Sequence, residues 1–302
     1  MPFADVGGVK LFYEETGAGA PLVFVHEFAG DHQSWHLQVR FFSRRYRTIA
    51  YNARGYPPSD VPEEPGAYSQ DRAADDILGL LDHLKIPKAH VCGLSMGGYA
   101  VLHFGLRHPE RALSLTVAGA GYGSVPGERE RFRKDVEETA RRFETDGMAG
   151  VAGFYTKGPT RVQFMDKDPA GWQEFYDMFC AQSAQGHALT MRGVQMTRTS
   201  IYDLENGMKG LTVPTLIMTG DEDEPCLDPA LFMKRKIPSS GLVIMPKAGH
   251  TINLEDPDDF NRAVLDFLTA ADAGRWPMRN PASLSASAIL PPEPTTQGAP
   301  RR

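Results

Sequence analysis

The chain has 302 residues, 32 basic against 38 acidic, for a net charge of -6 without a long run of either sign. That length can bury one large core, and that balance argues against a nucleic-acid or anionic-membrane surface and for a small-molecule partner. Three scattered cysteines, Cys92, Cys180 and Cys226, exclude a disulfide framework and form no CxxC zinc pair.

The first residues, "MPFADVGGVKLFYEETG", lack the basic start and apolar run of a secretion signal, and about 18 consecutive apolar residues occur nowhere. A reduced, cytoplasmic protein with no membrane partner is expected. Along the chain, "VKLFYEE", "PLVFVHE", "YRTIAYN", "AHVCGLS", "LSLTVAG", "TLIMTGD" and "GLVIMPK" read as strands. Between them Ile77, Leu80, Leu81 and Leu84 fall at helical spacing, as do Phe260, Val264, Phe267 and Leu268 later. Near-continuous apolar strands alternating with helices predict an α/β fold with a mostly parallel sheet covered on both faces.

The alternation breaks over residues 122–212, where two amphipathic stripes replace strands: Phe132, Val136, Ala140 and Phe143, then Trp172, Phe175, Tyr176 and Phe179. A helical insertion between two parts of one core, 1–121 and 213–270, is expected. Its stripes dock it onto the core, and where it covers a pocket the same aromatics, with Phe154 and Tyr155, would form an apolar wall. Residues 271–302, rich in Pro, Ser and Ala without a period, read as a disordered tail.

The strongest local signal is "HVCGLSMGGYAVLHFG", an apolar strand running through Gly93-Leu94-Ser95-Met96-Gly97 into a helix. Glycines two residues either side of a serine allow a strained turn that exposes the hydroxyl at the carboxyl end of the sheet, with the free N–H groups of the next helix facing a developing oxyanion. A serine hydroxyl needs a base, and the base needs an orienting group. Later strand ends offer Asp221, Glu222 and Asp223, then His250 after a flexible Ala-Gly step. His250 is the expected base.

Together "GLSMGG", "GDED", "AGHTINLEDPDDFNRAVLDFL", "HEFAGDHQSW" and "NARGYPPSD" resemble the α/β-hydrolase superfamily over roughly Phe3 to Ala270. The resemblance implies Ser95 as nucleophile, Asp223 as triad acid with Asp221 as runner-up, an oxyanion hole from the backbone N–H of Phe28 and Met96, and a helical cap matching the insertion. A serine nucleophile argues against the branches built on Asp or Cys: epoxide hydrolases, haloalkane dehalogenases and dienelactone hydrolases. The resemblance also implies that His26 stabilises the oxyanion loop. Arg54 is expected to brace loops, although "RGYPPS" departs from the family's RGxGxS.

Glu27 also departs from the pattern, because the superfamily mostly carries glycine after this histidine. Unit charges 4 Å apart interact by about 4 kcal/mol at an effective dielectric near 20, so an ionised carboxylate pointing into the hole would oppose catalysis. Glu27 must point away, be paired or be protonated. Bracing neighbouring loops is one expectation, and a place at the pocket rim, shared with Trp35, is the other; for Trp35 a buried aromatic on the first helix is the alternative.

These readings converge on a serine hydrolase cleaving a small or medium carboxylic ester through an acyl-enzyme, needing no metal or organic cofactor. A lactonase, an amidase, a carbon–carbon bond hydrolase and a cofactor-free perhydrolase use the same residues, and a slow-turnover ligand receptor is the non-enzyme alternative. Monomer and homodimer are both open.

Overall fold

In a computed structural model of the chain, which describes residues 2–284 and 289, eight strands form one sheet in the order β1-β2-β4-β3-β5-β6-β7-β8. They are β1 (Phe3–Val6), β2 (Val9–Thr16), β3 (Ala20–Val25), β4 (Tyr46–Tyr51), β5 (Ala89–Leu94), β6 (Ala112–Ala118), β7 (Thr215–Gly220) and β8 (Ser240–Met245). β1 pairs antiparallel with β2 and β2 with β4, and every later pairing is parallel. β1, not anticipated from the sequence, is the short arm of a hairpin turned by Gly7 and Gly8, whose φ values of 61° and 84° suit a two-residue primed turn.

Helices α1 (His36–Phe42), α2 (Gln70–His83) and α3 (Met96–Arg107) fall between the early strands. Five more, α4 (Arg129–Tyr155), α5 (Val162–Lys167), α6 (Pro169–Cys180), α7 (Ala184–Thr190) and α8 (Glu205–Lys209), lie between β6 and β7; α9 (Glu224–Lys236), α10 (Ile252–Glu255) and α11 (Pro257–Asp272) follow. One face of the sheet packs on Ile77, Leu80 and Leu81 of α2, on α3, and on Met233 of α9. The opposite face packs on Phe42 of α1 and on Phe260, Val264 and Phe267 of α11.

The inserted helices have an apolar cluster of their own. Phe132, Val136, Ala140 and Phe143 of α4 meet Phe175 and Phe179 of α6, and the cluster extends to Phe28 and Met96 of the sheet's upper loops. Both aromatic stripes thus dock the insertion onto the loops beside Ser95.

The C-terminal segment differs from expectation at its start. α11 continues to Asp272, and beyond it the Trp276 indole packs on Phe267 at 4.7 Å and donates to the Ser239 carbonyl at 2.7 Å. An aromatic ring with a buried carbonyl to bond outweighs the Pro- and Ser-rich composition around it. Residues 285–288 and 290–302 of the expected tail lie outside the described residues. No described helix is long and apolar enough to cross a membrane.

Candidate active site

Ser95 sits between β5 and α3 with φ 57° and ψ −113°, a left-handed conformation that an L-residue adopts only at a cost of roughly 1–3 kcal/mol. The surroundings hold it there. The Ser95 N–H donates to the Ala118 carbonyl at 2.8 Å, and its carbonyl accepts from Tyr99 at 2.9 Å. The two glycines are dictated by contact: a Cβ on Gly93 would lie 2.3 Å from the Gly97 carbonyl oxygen, and one on Gly97 would lie 2.1 Å from that of Val25. Only bare backbone lets α3 start this close to β3 and β5.

His250 arrives on the loop after β8. Its Nε2 lies 2.8 Å from Ser95 Oγ and its Nδ1 lies 2.7 Å from Asp223 Oδ2. With Nδ1–H donating to the carboxylate, Nε2 presents a lone pair to the serine hydroxyl, the arrangement a general base requires. Asp223 has no exposed surface, whereas Asp221 is exposed and its carboxylate accepts from the Ala248 N–H at 3.3 Å. The structure therefore brings Asp223, and not Asp221 or Glu222, to the imidazole.

Glu255, not singled out in the sequence, secures the histidine loop from both sides. Its carboxylate accepts from Gly249 N at 2.6 Å, from Thr251 N at 2.8 Å and from Thr251 Oγ1 at 3.0 Å. No sequence signal marks it, because a capping box needs the glutamate three residues after the threonine and Glu255 is four after Thr251.

The N–H of Phe28 makes no hydrogen bond among the described residues, and Met96, the first residue of α3, has an N–H without an intrahelical acceptor. Met96 directly follows Ser95, and Phe28 lies on the loop after β3. The Phe28 loop is braced by its neighbours. Ala53 N–H donates to His26 Nε2 at 3.0 Å, so the ring proton sits on Nδ1 and donates to the Glu27 carbonyl at 2.6 Å. Burial lowers the His26 pKa, which keeps that ring neutral. Tyr56 Oη donates to the Phe28 carbonyl at 2.9 Å, and burial pushes this phenol well above its ordinary value, so it stays a donor.

Glu27 is paired. Its side chain is 1% exposed and forms an ion pair with Arg161, also 1% exposed, from the turn that precedes α5. Neither outward bracing nor a free carboxylate at a pocket rim describes it. Burial opposes the guanidinium charge, but Glu27, with smaller contributions from Tyr155 and Glu255, raises the Arg161 pKa on balance. The guanidinium also lies 5.2 Å from the Phe175 ring and 6.0 Å from the Tyr155 ring. A neutral pair in place of a lone anion removes the electrostatic objection to a carboxylate beside the Phe28 N–H. Arg161 was missed because 134 positions separate it from Glu27 and nothing in "GPTRVQF" marks a partner.

The other sequence candidates separate into two groups. Tyr155 lies 5.7 Å from Phe28 and stacks on Phe179 at 5.5 Å, and His187 of α7, also unanticipated, touches Phe28 at 4.9 Å. Burial holds the His187 imidazole down at about 3. Trp172 and Tyr176 pair with each other at 5.7 Å, and Phe154 is 41% exposed beside Arg142. Trp35 is not at a pocket rim: it has no exposed surface and stacks on Phe24 at 4.9 Å in the core under α11. Arg54 braces loops as expected, binding Asp76 through two nitrogens at 2.8 and 2.6 Å and the Ala67 carbonyl at 2.9 Å.

The family model described as alpha/beta hydrolase fold matches residues 20–257. The chain belongs to the alpha/beta hydrolase family. It is 29% identical over 268 residues to the AB hydrolase superfamily protein YisY of Bacillus subtilis, covering 86% of this chain and 95% of that protein. It is also 29% identical over 249 residues to 3-oxoadipate enol-lactonase 1 of Acinetobacter baylyi, covering 82% and 88%. Among solved structures, a thermophilic esterase from Thermogutta terrifontis superposes with a TM-score of 0.79 at 26% identity, over 89% of this chain and 98% of that one. The protein is an enzyme of the alpha/beta hydrolase family.

Proposed function

We propose that this hydrolase cleaves small or medium-sized carboxylic esters through an acyl-enzyme on Ser95. The observation that carries the reading is the continuous chain Ser95 Oγ, His250 Nε2, His250 Nδ1, Asp223 Oδ2 at 2.8 and 2.7 Å.

In the proposed reaction His250 Nε2 takes the Ser95 proton as Oγ bonds to the ester carbonyl carbon. The oxyanion that forms accepts from the N–H groups of Phe28 and Met96, and the field at the start of α3 favours the same charge. As the tetrahedral intermediate collapses, the C–O bond to the alcohol breaks and His250 returns the proton to the leaving oxygen. Water then repeats the sequence on the acyl-enzyme, giving its proton to His250 and releasing the acid with Ser95 restored. Asp223 holds the imidazole in the required tautomer and stabilises the imidazolium. The inserted helices serve as a cap, with Tyr155, Phe179 and His187 presenting an apolar wall beside Phe28.

A lactonase is the second reading, favoured by the similarity to an enol-lactonase over most of both chains. It uses the same steps with the leaving alcohol tethered to the acyl group. Labelling with a fluorophosphonate tests the shared mechanism: a single adduct on Ser95 is expected, absent in Ser95→Ala. Labelling elsewhere, or rapid labelling with no turnover on a panel of aryl esters, lactones, amides and vinylogous diketones, would overturn it.

A further inference from the structure

Away from Ser95, the first turn of α1, the 3-10 turn before it (His32–Trp35) and β2 bring together His32, His36 and Glu14. One nitrogen from each ring and a carboxylate oxygen lie within 4.8 Å of one another. His32 Nε2 is 3.7 Å from Glu14 Oε1, and His36 Nε2 is 3.8 Å from Glu14 Oε2. We propose that these three side chains form a binding site for a divalent transition-metal ion of the zinc type, with water completing its coordination.

The tautomer of His32 is what distinguishes the cluster from a chance meeting of polar groups. Asn52 Nδ2 donates to the carbonyls of Tyr56 and Pro57, at 3.3 and 2.7 Å, which fixes its amide so that Oδ1 faces His32. That oxygen accepts from His32 N at 2.9 Å and from His32 Nδ1 at 2.7 Å. Nδ1 must therefore carry a proton, which leaves Nε2, facing Glu14, as the nitrogen available to ligate. A ligating imidazole held by a hydrogen bond through its other nitrogen is the usual outer support of a metal site. The buried carboxylate of Asp31, 3.9 Å from His32 Nδ1, adds negative potential behind the ring.

Tetrahedral zinc with bonds of about 2.0–2.2 Å places its ligand atoms about 3.4 Å apart, so the cluster needs only small side-chain shifts to close. His36 and Glu14 can make them, being 44% and 52% exposed, while His32, 10% exposed, is the fixed point. Two histidines and a carboxylate with an open fourth position suit zinc better than calcium or magnesium, which take oxygen ligands. A bound ion would fasten β2 to the segment that follows the Phe28 loop.

The test uses the full chain stripped with a chelator and titrated with zinc chloride by calorimetry and thermal denaturation. One ion per chain, bound at micromolar concentration with a rise in Tm, is expected, and His36→Ala and Glu14→Ala, both exposed, should each weaken binding by about tenfold or more. Cys226→Ser should bind as the parent does. That control matters because, among the described residues, Asp223, Cys226 and His250 form the other cluster of metal-binding groups within 4.8 Å. In the zinc-loaded protein, nitrogen NMR should show His32 and His36 bound through Nε2. Absence of saturable binding below millimolar zinc, binding unchanged in His36→Ala and Glu14→Ala, or binding lost in Cys226→Ser would each overturn the proposal.

Discussion

The two halves of the candidate site are built by different means. Ser95, Asp223 and His250 each stand within a few residues of the end of their own strand, β5, β7 and β8, and the histidine loop is secured further by Glu255 and by the Thr160 carbonyl, which accepts from the His250 N–H at 3.3 Å. Gly220 illustrates how tightly: a Cβ there would lie 2.1 Å from the Ala248 carbonyl oxygen. The oxyanion half is tied instead to the inserted helices, through Glu27 to Arg161 and through Phe28 to Tyr155 and His187. Strand ends position Ser95, Asp223 and His250; the Phe28 loop, braced from the core by His26 and Tyr56, also depends on the helices between β6 and β7 through the Glu27–Arg161 pair. Changes to the first half should therefore remove chemistry with little loss of fold, and changes to the second should disturb both together.

The largest effect is expected at the sheet-held half. Ser95→Ala or His250→Ala should lower kcat on an aryl ester by about 10⁴-fold or more, with Tm little changed. Asp223→Asn should follow them, because the amide no longer enforces the required tautomer, while exposed Asp221→Asn should stay within about twofold of the parent enzyme. Steady-state kinetics on the four variants checks the ordering.

Next in size are two stability effects of similar magnitude and different meaning. Arg161→Met leaves the Glu27 carboxylate buried without its partner and should cost about 3–5 kcal/mol in urea denaturation, with a parallel fall in kcat. Trp35→Ala empties a core site and should cost about 3–5 kcal/mol as well, but kcat/KM measured well below the transition should change little. A large loss of kcat/KM in Trp35→Ala would return that ring to the pocket.

The last effect, absent at neutral pH, is on acid stability. The unfolded chain binds a proton at His187 below about 6.5, whereas the folded protein resists until about 3. The unfolded state thus holds more protons in that window, so this histidine's penalty is absent above 6.5 and grows as pH falls toward 3, with a limiting slope of about 1.4 kcal/mol per pH unit. His187→Phe should flatten that slope and move the acid-unfolding midpoint to lower pH. The same midpoint in both proteins would contradict the assignment.

The sheet-held half was legible because its determinants are local. "GLSMGG" encodes a turn that only glycines permit, and "GDED" and "KAGH" sit where apolar strands stop. β1 was also legible in principle, since Gly7-Gly8 before "VKLFYEE" is a hairpin signal, but four residues with an aspartate make a faint strand. The insertion-held half was not legible. Periodicity located the stripes on α4 and α6 but carries no information about which loop a distant arginine will meet. For Glu27, electrostatics limited the possibilities to three, and the partner that selected one lies in the 3-10 turn Pro159–Arg161. For Trp35 the buried-aromatic reading is the one the structure bears out: it ends the 3-10 turn His32–Trp35 and packs in the layer under α11.

A double-mutant cycle on Glu27 and Arg161 tests the division most directly. Glu27→Leu, Arg161→Met and the pair together are to be compared for unfolding free energy and for kcat/KM on one aryl ester. If the pair acts as one unit, each single variant loses stability and rate, and the double variant, with no buried charge left over, recovers most of the stability lost by either. Losses that simply add would mean that Glu27 and Arg161 act independently, and the insertion would not be what sets the oxyanion loop.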